Sequence, residues 1–261
     1  MKRSDPFESP KLLLSGARGD IRRLQAAWNH FHERCFGIPF EEFDSENDER
    51  VIKFRICPEV PQELRVLASN AFNNLRHLLD QAINCAAVEL GSSKRNNYFP
   101  FAKDKEDLER VIKSNCPTVP VALLPTIRQF MPHGDGDAEL YALSKLCGPN
   151  KHQVVLSIDS HMNGMLLDAG PNGWFGSFKG PGRLGALAWD SEKQELEAAR
   201  VGKGGDAQFR AMTKIPIFVS LSDSDVSRDK PAIEFLELLA NKVQAILLAL
   251  ESESQRLKAP Q

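Results

Sequence analysis

Residues 61–90 read PQELRVLASNAFNNLRHLLDQAINCAAVEL. Leu64, Leu67, Ala68, Ala71, Phe72, Leu75, Leu78, Leu79, Ala82, Ile83 and Ala86 recur at three- and four-residue steps. That spacing predicts one long helix with a broad apolar stripe, opened by Pro61 in the favoured first-turn position. The other side carries Asn70, Asn73, Arg76, His77, Asp80 and Asn84, with no Lys and no Glu between Arg65 and Glu89. Lys and Glu are the residues that normally solubilise an exposed helix face. A face built instead from short hydrogen-bonding groups predicts a helix covered on both sides. Arg76 and Asp80 then form an i,i+4 pair in a partly dry setting.

Working outward, residues 17–36 place Ile21, Leu24, Trp28, Phe31 and Cys35 on one side of an N-terminal helix that Gly37 and Pro39 stop. The acidic stretch 41–49 reads as a solvated loop, and residues 51–56 as a strand. Beyond Gly91 the chain predicts a helix capped by Asp104, a Pro-punctuated segment over 117–132 and a Gly-rich loop from His133 to Asp137. A helix with Leu140, Leu143 and Leu146 follows, ending at Gly148-Pro149. From residue 153 the pattern changes to short β-rich runs separated by Gly, Pro, Asn and Asp, the pattern of a β-meander. A C-terminal helix then buries Ile233, Leu236, Leu239, Val243, Ile246, Leu247 and Leu250. The expected fold class is α+β: a helical bundle of N-terminal, central and C-terminal helices with an antiparallel meander inserted before the last. The expected organisation is a single domain over 1–261, with helical parts 10–150 and 230–257 and a β-rich insertion over 153–220.

The chain of 261 residues is long enough for a sizeable core, and 42% apolar with 26% charged residues is ordinary for a globular protein. A net charge of −2 excludes bulk electrostatic capture of nucleic acid, though not a local basic groove. The five cysteines are dispersed without a C-x-x-C pair, which fits buried thiols in a reducing compartment better than a disulfide framework or a zinc knuckle. Leu12-Leu13-Leu14 is too short for a secretory signal, and the run 245–250 is too short to span a membrane. The expected location is cytoplasmic.

Candidate catalytic residues are Arg76, Asp80, Lys151 and His152, with Asn73, His77, Asn84 and Asn150 as candidate binding residues. Arg and Lys can hold a phosphate or an oxyanion, a carboxylate can orient a base, and His moves protons near neutral pH. The competing expectation is architectural: a buried Arg-Asp pair locking two elements together, and cations at a helix C-terminus complementing its dipole. Other signals are weaker. Gly180-x-Gly182-x-x-Gly185 lacks the strand-turn-helix context of a dinucleotide site, and 202–205 reads as a hairpin tip. His133-x-Asp135-x-Asp137 reads as solvated turn residues rather than cation ligands. Ser157, Asp159, Ser160 and His161 supply the letters of a triad, but on one short strand and its end neighbours point to opposite faces and cannot assemble as a relay. Cys147 reads as core. No metal and no cofactor are expected.

The pattern Leu75-Arg76-x-x-Leu79-Asp80, Phe99-Pro100, Gln129…Pro132 and Leu140-x-x-Leu143-x-x-Leu146…Asn150-Lys151-His152 resembles a family of uncharacterised bacterial proteins. Their long helix typically reads Leu-Arg-x-x-Leu-Asp-His, and a later motif Asp-Lys-His-Arg. The Arg-x4-His spacing of that consensus is similar to the signature of HEPN-type helical domains, many of them metal-independent ribonucleases of toxin and defence systems. The resemblance implies that Arg76 steadies a phosphate while a His assists attack by the ribose 2′-hydroxyl or protonates the leaving oxygen. This chain departs from the pattern with Gln81 in place of the helix His, Asn150 in place of Asp and Gln153 in place of Arg. An amide cannot shuttle a proton at neutral pH, so His152 or His77 has to substitute, or the site only binds. The implied partners are RNA or another anionic ligand. No DNA-binding motif and no membrane partner are expected, and a homodimer is one possible assembly.

Overall fold

The computed structural model describes residues 5–57, 60–147, 158–162, 176–184, 189–190, 193–209, 217–221 and 230–259. The chain is α+β and divides into two compact units. One comprises Met1–Gln25, Arg65–Ser157 and Leu221–Gln261, the other Ala26–Leu64 and Ile158–Ser220. No helix among the described residues is long and apolar enough to cross a membrane.

The first unit is helical. Helix α1 (Glu8–Arg34) starts nine residues before the expected position, with Asp5 accepting the Phe7 amide at 2.9 Å ahead of it. Pro10 falls in its first turn, where no intrahelical N–H is needed. Within the Leu triplet only Leu14 is buried, while Leu12 is 66% exposed. Helix α2 (Gln62–Glu89) buries every residue of the predicted stripe. It ends in a Schellman turn: the Ser92 amide donates to Ala87 O and the Gly91 amide to Val88 O, with Gly91 at φ +96°. Helices α3 (Lys105–Asn115) and α5 (Ala138–Leu146) are capped by the Asp104 and Asp137 side chains, and α4 (Leu124–Arg128) is a single short turn between them. Helix α6 (Ala232–Lys258) buries all of its expected core positions.

Side-chain contacts between each pair of helices fix how α1, α2 and α6 run. Ser9 and Asp20 of α1 bond Gln81 and Asn74 of α2, which makes those helices antiparallel. Lys11 pairs with Glu251 at 2.7 Å, and Arg18 reaches Asn241 and Gln244, so α1 is antiparallel to α6 as well. Phe72 meets Phe235 with ring centroids 6.5 Å apart, and Lys258 pairs with Glu89, so α2 and α6 run parallel.

The second unit is built on an antiparallel sheet. Strands β1 (Phe36–Asp44) and β2 (Glu49–Cys57) form a hairpin. The remaining strands are β3 (Ile158–Met162), β4 (Gly176–Lys179), β5 (Gly182–Leu184), β6 (Trp189–Asp190), β7 (Glu195–Val201), β8 (Asp206–Phe209) and β9 (Ile217–Leu221). The main sheet runs β1-β2-β7-β5, with β6 also on β7; β3 pairs with β9, and β4 with β8. The late strands therefore do not form a self-contained meander: β7 is completed by β2, from before the long helix.

The predicted acidic loop is instead the end of β1 and a tight turn. Glu41 and Glu42 are held across the hairpin by Arg50 and Lys53, and β1 is an edge strand that tolerates Pro39. At the turn Asp44 accepts from the Glu46 and Asn47 amides, and Asp48 takes φ +54°. Opposite Ile52 and Lys53, β7 carries Ala198 as an extra residue, since Ile52 pairs with Ala199 and Lys53 with Glu197. That bulge shifts the alternation on β7, so Leu196 before it and Ala199 and Val201 after it can all meet the apolar row of β2. Phe54, Ile56, Leu196 and Ala198 pack with Phe31 and Cys35, and Ile52 packs with Ala199, Val201 and Ala207.

Candidate functional site

The polar side of α2 splits into two rows. Asn70, Asn73 and His77 are exposed, contrary to the expectation of a helix covered on both sides. Arg76, Asp80 and Asn84, four residues apart, form the neighbouring row and are half-buried. The strip that covers them is residues 97–101, which folds back along the helix through three contacts.

The first contact is the Asp80 carboxylate. Its Oδ1 accepts from Arg76 Nη1 at 2.5 Å and from the Phe99 backbone amide at 2.8 Å. Phe99 is fully buried, so this oxygen is the acceptor that lets its N–H leave water. The second is Phe101, whose ring lies under the Arg76 guanidinium at 4.7 Å, with Phe99 packed edge-on to it at 5.2 Å. The third is an amide exchange. Asn84 Nδ2 donates to Asp80 O and Asn97 O, both at 2.7 Å, while its Oδ1 accepts the Asn97 amide at 3.1 Å. Asn97, itself buried, passes the network on by accepting the Thr118 amide at 3.1 Å.

Arg76 and Asp80 keep side-chain exposures of 15% and 16%, so the pair is shielded without being sealed. Beneath it, Cys116 donates its thiol to Tyr98 O. Burial pushes that thiol up to about 12, with the Asp80 charge adding to the effect, so it carries no thiolate for nucleophilic work at neutral pH.

Gln81 stands where the resembling family has its helix His, and its Oε1 accepts from the Ser9 hydroxyl at 2.7 Å. The position thus serves the contact between α1 and α2. Asn150, Lys151 and His152 lie outside the described residues, as does Ser157, so the expected meeting of Arg76 with His152 concerns one described partner only. Among the predicted site residues the structure brings together Arg76, Asp80 and Asn84, and leaves Asn73 and His77 in the open. Phe101, Asn97 and Thr118 complete the arrangement and were not singled out from sequence for this role. The Phe99-Pro100-Phe101 run was the available signal, since two aromatics around a Pro in a polar loop need a surface to cover.

The Gly-rich loop before α5 is structural in detail. Asp137 Oδ1 caps α5 at 2.9 Å and Oδ2 pairs with Lys242 at 2.5 Å. A Cβ on Gly136 would sit 2.6 Å from Met131 O, and one on Gly134 2.5 Å from Lys103 O, so both glycines permit close chain approach. His133 is buried, with its Nδ1 unpartnered. No group of three or more metal-binding side chains occurs among the described residues. Gly180, at φ +74°, sits in the turn between β4 and β5, so a strand and not a helix directly follows it. The chain matches no family model, no curated protein and no solved structure.

Proposed function

We propose that this protein is a non-catalytic binding or interaction protein, in which the Arg76–Asp80–Asn84 row is an architectural clasp. The observation that carries this is the double use of Asp80 Oδ1, which holds both the Arg76 guanidinium and the amide of a fully buried residue. A carboxylate engaged in this way cannot turn to orient a base without releasing residues 97–101. The tie between Gln81 and Ser9 supports the same reading, because the residue at the proton-shuttling position is spent on helix packing.

A second reading, HEPN-like action on RNA through Arg76, draws on His77 and Asn73, which stand exposed in the row beside the pair. One assay separates the two. Purified chain is incubated with mixed RNA in EDTA beside an Arg76→Ala control, and both are followed by thermal unfolding. We expect no cleavage by either chain and a lower Tm for the variant. Cleavage by the wild type, abolished in Arg76→Ala with an unchanged Tm, would overturn the architectural reading.

A further inference from the structure

Away from the clasp, α1 and α6 enclose a cleft of about 270 Å³ lined by Arg18, Ile21, Arg22, Glu237, Ala240 and Asn241. Arg18 Nη2 is held by two neutral oxygens, Asn241 Oδ1 at 2.9 Å and Gln244 Oε1 at 2.6 Å, so its direction is set while its charge stays uncompensated. Arg22, one turn along, makes no ion pair among the described residues. Two guanidiniums four residues apart repel each other, and of the two only Arg18 ties α1 to α6.

Across the cleft, the antiparallel run of α6 against α1 sets Arg18 opposite Asn241 and Gln244, and hence brings Glu237 to the level of Arg22. Glu237 makes no ion pair with either arginine. The cleft therefore presents a fork of two cations on one wall, a single carboxylate on the other, and an apolar floor of Ile21 and Ala240, both buried. At this volume it falls just under the usual range of about 300–1,000 Å³ for ligand pockets, which suits a small metabolite better than a nucleotide.

We propose that this cleft binds a small zwitterion of the α-amino acid type with an aliphatic side chain. Its carboxylate would lie on Arg18 and Arg22, its ammonium against Glu237, and its side chain on Ile21 and Ala240. Guanidinium groups match a carboxylate through paired N–H donors, and the opposed carboxylate rejects ligands carrying negative charge alone. The inference rests on the binding reading above and supplies its ligand class.

The test is calorimetric titration of the full chain with L-valine, with isovalerate and isobutylamine as its amine-free and carboxylate-free halves, and with inorganic phosphate. Valine should bind, and each half should bind at least about tenfold more weakly, the loss of one charge-assisted contact. Arg22→Ala should weaken valine and isovalerate by roughly ten- to a hundredfold and leave isobutylamine unchanged, while Glu237→Gln should weaken valine and isobutylamine and spare isovalerate. Both side chains are exposed, so folding is preserved, which circular dichroism would verify. Absence of valine binding, halves that bind as well as valine, or phosphate binding as tightly as valine would each overturn the assignment. Failure here leaves the RNA result untouched, so loss of this ligand class and loss of the non-catalytic reading are told apart.

Discussion

Replacing Asp80 by Ala tests the clasp directly. The change removes the acceptor of the Phe99 amide and the counter-charge of Arg76 together. Phe99 is fully buried, so its N–H cannot regain water, and a stranded donor of this kind costs about 1–3 kcal/mol. The ion pair retains some solvent contact on both sides, so its loss adds up to about 1 kcal/mol rather than the larger penalty of a sealed pair. The sum is about 1–4 kcal/mol. For a chain of this length each kcal/mol shifts Tm by roughly 2–4 °C, which places the fall between about 2 and 16 °C. Thermal unfolding followed by circular dichroism measures it, and hydrogen exchange at the Phe99 amide localises it. Asp80→Asn keeps an acceptor oxygen in place and should lose distinctly less. An unchanged Tm in Asp80→Ala, with the Phe99 amide still protected, would refute the reasoning and return the carboxylate to the pool of groups free for chemistry.

Two further outcomes follow from the titrating groups. Asp44 is held at about 2 by the Asn47 side chain and by Arg200, below its ordinary value of 3.8. A depressed carboxyl stabilises the fold fully above the unfolded value and loses that contribution as pH falls toward the folded one, so the window is roughly pH 4 to 2. Asn47→Ala should raise the Asp44 titration midpoint, read from its carboxyl carbon by NMR, and move the hairpin's acid unfolding to higher pH; an unmoved midpoint would contradict the assigned cause. Cys116 should resist iodoacetamide at mildly alkaline pH in the native chain and react once the chain is unfolded, and prompt native alkylation would show that its burial is wrong.

The helices were legible where the signal is local and repeated. The α2 and α6 stripes recur over many turns, and every residue expected inside is inside. The start of α1 was not, because a Pro and a three-residue apolar patch carry too little periodicity, and only packing against α2 and α6 decides that they are helical. Strand β1 was hidden by its Gly, Pro and acids; pairing with Arg50 and Lys53 makes those acids acceptable on an edge. The union of β2 with β7 depends on residues far apart in sequence, which no local spacing reports. At the clasp, i,i+4 spacing revealed the Arg76–Asp80 pair. The folding back of residues 97–101 was invisible, since an Asn and a backbone amide have no sequence signature as partners of a carboxylate.

The central pairing of the sheet also has a cost during synthesis. Strand β2 ends at Cys57, whereas β7, which closes its open side, begins only at Glu195. A nascent chain leaving the ribosome must carry that hairpin with one unpaired flank until the residues from Glu195 onward have been made. Such a flank invites pairing with another chain. The charged side chains lining the hairpin, Arg50, Lys53 and Arg55 among them, then act as guards during the wait as well as ties in the finished fold.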